Sequence, residues 1–221
     1  MRAVIYTGGE LFPDRVCERP RADDLVIAAD AGLVAARAFG VVPHILLGDF
    51  DSLGDPTAAE LPPSVELLRV PAEKDDTDTQ LAASVALARG ATEILIVGGF
   101  GGRPDHTLAN LALLEDLFRR GVPAVMVNGA SRARFFSGRV NDADGSPATL
   151  SLPRDPRFRY LSLIPADARV TGVSLSGCKY PLRSATLLRR SAGFATSNEI
   201  TADAATLSVR RGSLLILECK G

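Results

Sequence analysis

The sequence predicts an α/β fold followed by an all-β unit. A mostly parallel sheet with helices on its faces is expected over residues 1–135, then a β-sandwich over 136–221. Three observations carry this. Up to about residue 135, short apolar runs alternate with helical periods, the order a parallel sheet needs. The runs "EILIVGG" and "PAVMVNG" lack polar alternation, as strands covered on both faces require. After the Gly-, Pro- and Asp-rich stretch "SGRVNDADGSPATLSLPRDPRF", helical periodicity stops.

Taken in order, "AVIYTGG" is a short apolar strand ending in glycines, and "DLVIAAD" a second ending in Asp30. "AGLVAARAFG" is a short helix closed by Gly40. "HILLGD" and "VELLRV" are the next strands. "DDTDTQLAASVALARG" is a helix: Thr77 and Gln80 have capping-box spacing, Leu81, Val85 and Ala88 share a face, and Gly90 ends it. "HTLANLALLEDLFRRG" is a third helix, with Leu108, Leu111, Leu114 and Phe118 along one side. In the tail, "RYLSLIP", "VTGVSLSG", "ATLLRR", "ATLSVRRG" and "LLILECK" are short strands separated by turn residues.

Composition narrows the function. With 25 basic and 26 acidic residues the net charge is −1, which offers no footprint for nucleic acid or an anionic membrane. Cys17, Cys178 and Cys219 are odd in number and far apart, against a disulfide framework or thiolate zinc site. The first apolar run is too short for a signal peptide, and none approaches a membrane span, so a cytoplasmic protein is expected. With only His44 and His106, zinc chemistry and a Ser-His-Asp triad have little material.

In open parallel sheets, ligands bind at the carboxyl ends of the strands. The acids gather there. Asp30 ends the second strand, Asp49 and Asp51 end the third, and Asp75, Asp76 and Asp78 begin a helix. Arg103, Asp105 and His106 follow the glycine-rich end of "EILIVGGFGGR". Each group has a plain structural use: Asp76 or Asp78 at a helix N-terminus, Asp105 as a cap, Asp49 in a turn. Together they point to chemistry. Residues i and i+2 of an extended segment face the same way, so Asp49 and Asp51 present two carboxylates to one side. Such a pair repels unless a proton or cation lies between them, and Mg2+ takes oxygen ligands of this kind together with phosphates. Gly98, Gly99, Gly101 and Gly102 permit close backbone approach to phosphate. Lys74 and Arg103 add positive charge, Arg103 with a fork suited to bidentate contact. The sum is a nucleotide-phosphate site. "DFD" alone also fits an acidic turn, a D-x-D phosphatase or a metal-dependent glycosyltransferase. The phosphatase motif follows the first strand rather than the third, and the β tail fits a glycosyltransferase poorly. "NDADG" lacks the later acids of a calcium loop and reads as a turn.

The order "DAG…PHILLGDFDSL…EKDDTDTQLA…GGFGGRPDHTLANL" resembles the thiamin pyrophosphokinases. Their Asp-x-Gly, G-D-x-D-S, K-D-x-T-D and G-G-R-x-D-H motifs fall at Asp30–Gly32, Gly48–Ser52, Lys74–Asp78 and Gly101–His106. The tail matches too, with "SLIP", "GCKYPL", "TSNE" and "RRGSLLIL". The resemblance implies a nucleotide-binding catalytic domain, a β-sandwich that binds thiamin, and a homodimer whose thiamin site is shared between subunits. It implies ATP as substrate and Mg2+ as cofactor, with thiamin converted to thiamin diphosphate and AMP released. By the same resemblance, Asp49, Asp51, Asp75 and Asp78 hold the metal and, with Arg103 and Asp105, form the catalytic group. Asp30, Gly32, Lys74, Thr77, Gly101, Gly102, Arg103 and His106 bind ATP. Tyr180, Ser197 and Asn198 contact thiamin, Tyr180 standing where the family often has Trp; this chain has no Trp. Two alternatives keep the nucleotide: transfer to another hydroxymethyl heterocycle such as a pterin, or a sensor without turnover.

Overall fold

The computed structural model describes residues 1–49, 61–71, 73, 75–138 and 146–221. The chain divides into two compact units, Met1–Gly129 and Ala130–Gly221. The expected boundary near residue 135 falls inside a strand, Ser131–Gly138. The arginines of that strand pair within the second unit.

The first unit is built on parallel strands: β1 (Arg2–Tyr6), β2 (Leu25–Ala29), β3 (Ile45–Gly48), β4 (Glu66–Arg69), β5 (Glu93–Val97) and β6 (Ala124–Val127). They lie in the order β4-β3-β2-β1-β5-β6, every pair parallel. Val4, Ile5, Ile27, Leu46, Ile96 and Met126 are buried, as the unbroken apolar runs require. Helices α1 (Gly32–Ala38), α2 (Asp78–Ala88) and α3 (Pro104–Arg119) cover the sheet, α1 on β1 and β2, α2 on β1 to β3, and α3 on β6. This is the expected α/β fold. The strand order reverses between β1 and β5, and that reversal opens a crevice at their carboxyl ends.

Helix α2 begins as its sequence demands. Thr77 Oγ1 accepts the Gln80 N–H at 3.3 Å, and Gln80 Oε1 accepts the Thr77 N–H at 2.9 Å, closing a capping box. Its buried face differs from the expected one. Thr79, Ala82, Ala83 and Ala86 face inward, while Leu81 and Val85 are half-buried and Ala88 is exposed. Small side chains let the helix lie close on the sheet, so proximity chose the face over hydrophobicity. Helix α3 is rotated likewise. Asn110, Leu113, Leu114 and Leu117 are buried, whereas Leu108 is exposed.

The second unit is all antiparallel. Strands β7 (Ser131–Gly138), β13 (Gly212–Cys219) and β9 (Tyr160–Pro165) pair in that order. Strands β11 (Leu182–Leu188), β10 (Arg169–Ser176), β12 (Ala204–Val209) and β8 (Ala148–Pro153) form a separate sheet. β10 packs on β13 and β12 on β7, giving the expected sandwich. Strand β8 lies within the stretch expected to be a polar connection. Glu218 on β13 is paired in register with Arg132 on β7 and is 3% exposed, so the interior carries a buried ion pair. The cysteines Cys17, Cys178 and Cys219 are free, and burial pushes the Cys178 thiol up to about 11. Among the described residues no helix is long and apolar enough to cross a membrane. Asp51, Lys74 and the "NDADG" turn lie outside the described residues.

Candidate active site

The crevice at the β1/β5 reversal is a cleft of about 340 Å3 in the first unit. Its walls come from the ends of elements already placed. Thr7, Gly8 and Gly9 follow β1, Ala29 to Ala31 end β2, and Gly99, Gly101, Gly102 and Arg103 follow β5. Asp78 and Thr79 open α2, and His106 and Asn110 lie on α3.

Main chain makes the floor. The Thr7 N–H donates to Val97 O at 2.9 Å, and the Glu10 N–H to Phe100 O at 2.6 Å, so the loops after β1 and β5 are laced together. A Cβ on Gly9 would stand 1.9 Å from Gly98 O and 2.4 Å from Phe100 O, so only glycine allows this approach. Asn110 Nδ2 donates to Gly99 O at 3.0 Å from a buried position, which ties the glycine loop to α3. The Thr7 and Thr79 hydroxyls hydrogen-bond at 3.0 Å, both buried, and join the end of β1 to the start of α2. Gly101 and Gly102 carry φ of +77° and +68° on the cleft wall.

Charge is arranged around that floor. Asp30 has φ +46°, a left-handed conformation that Asp tolerates better than most residues. Its N–H donates to Leu47 O at 2.7 Å and its carbonyl accepts the Leu33 N–H at 3.1 Å, so strand and helix hold the residue from both sides. Asp78 faces the cleft from the first turn of α2, where the helix dipole favours a carboxylate. At the rim, Arg103 forks onto Asp105, Nε to Oδ1 at 3.2 Å and Nη2 to Oδ2 at 2.6 Å. The His106 N–H also donates to Asp105 Oδ1, at 3.0 Å. The Arg103 hydrogen bond holds the Asp105 carboxyl below the usual carboxylate range, and Asp105 in turn raises the guanidinium. Both side chains are exposed, so the pair orients Arg103 more than it stabilises the fold.

The structure thus brings Asp30, Asp78, Gly101, Gly102, Arg103 and His106 to one cleft. The described lining does not include the other candidates. Asp49 follows β3 and is half-buried, and Asp75 is exposed in the bend before α2. Thr77 uses its hydroxyl in the helix cap. Gly32 is buried for packing, since a Cβ there would come within 2.0 Å of Tyr6 O. Asp105 reaches the site through Arg103. Thr7, Gly8, Gly9, Thr79 and Asn110 are cleft residues that the sequence reading did not assign. Asn110 was within reach, lying four positions after His106 on the same helical face. The Thr7–Thr79 bond spans 72 positions and has no local signal.

In the second unit, a small cavity of about 70 Å3 is lined by Leu163, Leu175, Leu182, Tyr180, Phe194 to Thr196 and Asn198. Tyr180 and Phe194 are 59% and 69% exposed, unusual for aromatic side chains in a sandwich. Ser197 has φ +57°, and its N–H donates to Ser162 Oγ at 3.1 Å. Asn198 is 7% exposed, and its side chain bonds to the Tyr180 main chain.

Known proteins share both units. Residues 19–126 match the family model described as thiamin pyrophosphokinase, catalytic domain, and residues 148–214 match thiamin pyrophosphokinase, vitamin B1 binding domain. A thiamine pyrophosphokinase of Bacillus subtilis (strain 168) is 30% identical over 194 residues, covering 87% of this chain and 86% of the relative. A crystal structure of thiamine pyrophosphokinase from Bacillus subtilis superposes with TM-score 0.86 at 27% identity, covering 100% of both chains. That of thiamin pyrophosphokinase from Geobacillus thermodenitrificans gives 0.81 at 29%, covering 100% of this chain and 98% of the other. With both units matched in order and the whole chain superposed, this chain belongs to the thiamin pyrophosphokinase family.

Proposed function

We propose that the cleft at the β1/β5 reversal holds the triphosphate of ATP while the chain passes a pyrophosphoryl group to the hydroxyl of thiamin. The observation that carries this is the meeting of two carboxylates, a backbone floor and a forked arginine in one cleft. Glycines keep side chains off the floor, Arg103 and His106 face it from the rim, and Asp30 and Asp78 supply oxygen donors.

Those donors fit Mg2+. Among the described residues no three metal-ligating side chains converge. A pair of carboxylates suits Mg2+, which completes its shell with phosphate oxygens and water. Asp78 would hold it from the cleft wall, with Asp30 in the same cleft, and the family resemblance adds Asp49, Asp51 and Asp75 to the set. Bound there, the ion supplies positive charge against the charge that builds on the phosphoryl oxygens.

The thiamin hydroxyl oxygen bonds to the β-phosphorus, and the bond from that phosphorus to the α-bridging oxygen breaks. AMP leaves with the bridging oxygen, and the hydroxyl proton passes to a carboxylate, Asp75 or Asp78. The transition state asks for orientation and charge rather than covalent catalysis. Asp105 keeps the Arg103 fork aligned until phosphate oxygens compete for it. Lys74 adds a further cation.

In the β unit, Tyr180 offers an aromatic face to a thiamin ring and Ser197 a hydroxyl. The reading extends to a homodimer in which one subunit's β unit serves the other's nucleotide unit. Charge supports it: nineteen of the 26 acids precede residue 130, and fourteen of the 25 basic residues follow it. Opposite charges of this kind steer two copies together. A cytoplasmic location belongs to the same reading, with three free cysteines in accord.

Nucleotide chromatography after incubation with ATP, Mg2+ and thiamin tests the reaction. AMP and thiamin diphosphate are expected. ADP with thiamin monophosphate would overturn the proposal. Turnover of a hydroxymethyl pterin but not thiamin would move the acceptor, and binding of both substrates without turnover would make the chain a sensor. Arg103→Lys is a second check. Lysine keeps the charge and loses the fork, so kcat/KM for ATP should fall roughly tenfold or more while Tm stays put. Unchanged kinetics would return Arg103 to the surface.

A further inference from the structure

We infer that Asn198 is a positioning residue, which acts on thiamin through Tyr180 rather than by touching it; this rests on the thiamin reading of Tyr180 given above. The amide is already spent. Its Oδ1 accepts the Tyr180 N–H at 3.0 Å and the Glu199 N–H at 2.9 Å, and its Nδ2 donates to Tyr180 O at 2.7 Å. An amide oxygen has two lone pairs and an amide nitrogen two protons, so one N–H is left over. With the residue 7% exposed, little of that group meets solvent.

What Asn198 does instead is legible in the backbone. It exchanges hydrogen bonds with Leu161 on β9, at 2.8 and 2.9 Å, so its own main chain is fixed to the sandwich. Its side chain then grips both the N–H and the C=O of Tyr180, as a neighbouring strand would. The register continues on either side. The Lys179 N–H donates to Glu199 O at 2.9 Å, and Cys178 bridges Ile200. Segment 178–180 is laced along 198–200, and at Tyr180 the lacing is a side chain.

The ring of Tyr180 is free to work while its backbone is held. It is 59% exposed and borders the cavity that Leu163, Leu175 and Phe194 also line. The Lys179 ammonium lies 5.5 Å from the ring centroid and is held by Glu199 at 3.3 Å. That cation covers one face of the ring, so a flat heteroaromatic ligand takes the other. Ser197 differs from Asn198. It is exposed, and its hydroxyl makes no hydrogen bond among the described residues, so Ser197 keeps the direct contact.

Steady-state kinetics of the full enzyme decide the matter through Tyr180→Ala, Asn198→Ala and the double variant. Tyr180→Ala should raise the KM for thiamin about tenfold, the scale of a desolvated aromatic contact. Asn198→Ala should raise the same KM by no more than that, with kcat and the KM for ATP unchanged. The double variant should equal Tyr180→Ala, because a residue acting through the ring has nothing left to lose once the ring is gone. Multiplied effects would mean that Asn198 touches thiamin, and the inference fails while the thiamin site stands. An unchanged KM in Tyr180→Ala would remove the thiamin reading and the inference together. A loss spread over kcat and both KM values would make Asn198 merely structural and overturn the inference. Should Asn198→Ala not fold, Asn198→Asp keeps size and the acceptor for the Tyr180 and Glu199 N–H groups, while it exchanges the donor to Tyr180 O for a carboxylate oxygen and adds a negative charge. The same comparison with Tyr180→Ala then applies.

Discussion

Asp78→Asn is expected to lower kcat by roughly 100- to 1,000-fold, the usual cost of removing one electrostatic stabiliser from a reacting site. The substitution keeps the size and hydrogen-bonding shape of the side chain and removes its charge. It does not dismantle the helix, because the capping box of Thr77 and Gln80 closes the N-terminus without Asp78. The lost interaction with the helix dipole is worth about 0.3–1 kcal/mol, a shift of a few degrees in Tm at most. Activity and stability therefore separate. Turnover measured across a Mg2+ titration, beside a melting curve, reads both. Asp49→Asn should move in the same direction, since Asp49 stands at the carboxyl end of β3 in the same row of strand ends. Wild-type turnover of Asp78→Asn at low Mg2+ would take this carboxylate out of the reaction.

The largest loss of stability should come from the other unit. Glu218 accepts from Arg132 through both oxygens, at 2.6 and 2.7 Å, and from Arg134 Nη2 at 3.1 Å. Arg132 also donates to Asp155 at 3.0 Å and lies over the Phe158 ring at 4.8 Å. Burial lowers the pKa of Arg134 against the pull of Glu218, so these guanidiniums depend on their acid. Glu218→Gln leaves two largely buried cations short of compensation. Breaking a buried pair from one side costs about 3–5 kcal/mol, which lowers Tm by roughly 10 °C in a chain of this size. A Tm within a degree or two of wild type would show that water reaches the pair. The same network sets an acid limit. The hydrogen bond from Arg157 holds the Asp155 carboxyl below its ordinary range, although burial opposes it. A carboxyl with a depressed folded pKa stabilises above its unfolded value, and that contribution disappears as pH falls through the folded one. Asp155→Asn should therefore melt below wild type near neutral pH, with the gap closing as pH falls through the folded value.

Much of the fold could be read because its signals are local. "DLVIAAD" and "EILIVGG" are apolar throughout, and Thr77 and Gln80 are three positions apart. The misreadings share a different cause. Helix α2 buries alanines because the sheet beneath it rewards closeness, and a hydrophobicity pattern ranks Leu81 and Val85 above them. Strand β7, "SRARFFSG", is absent from the sequence reading, because the partner of its arginines, Glu218, lies 86 positions from Arg132. The site divides in the same way. Asp30, Asp78 and the glycine loop stand where strand ends and helix starts put them. The Thr7–Thr79 bond and the grip of Asn198 on Tyr180 join separate segments, and no periodicity reports such pairs.

The floor of the cleft has a consequence for descent. Where Gly9 meets the carbonyls of Gly98 and Phe100, the surface offered to a nucleotide is made of atoms that every amino acid shares. A point mutation cannot redecorate such a surface; it can only push it apart. Change is thus costly at the floor, whereas at the rim it alters one side chain at a time. A lineage that came to prefer another nucleotide or another acceptor would record the change around Arg103, Asp105 and His106, and the glycines would be the last to change.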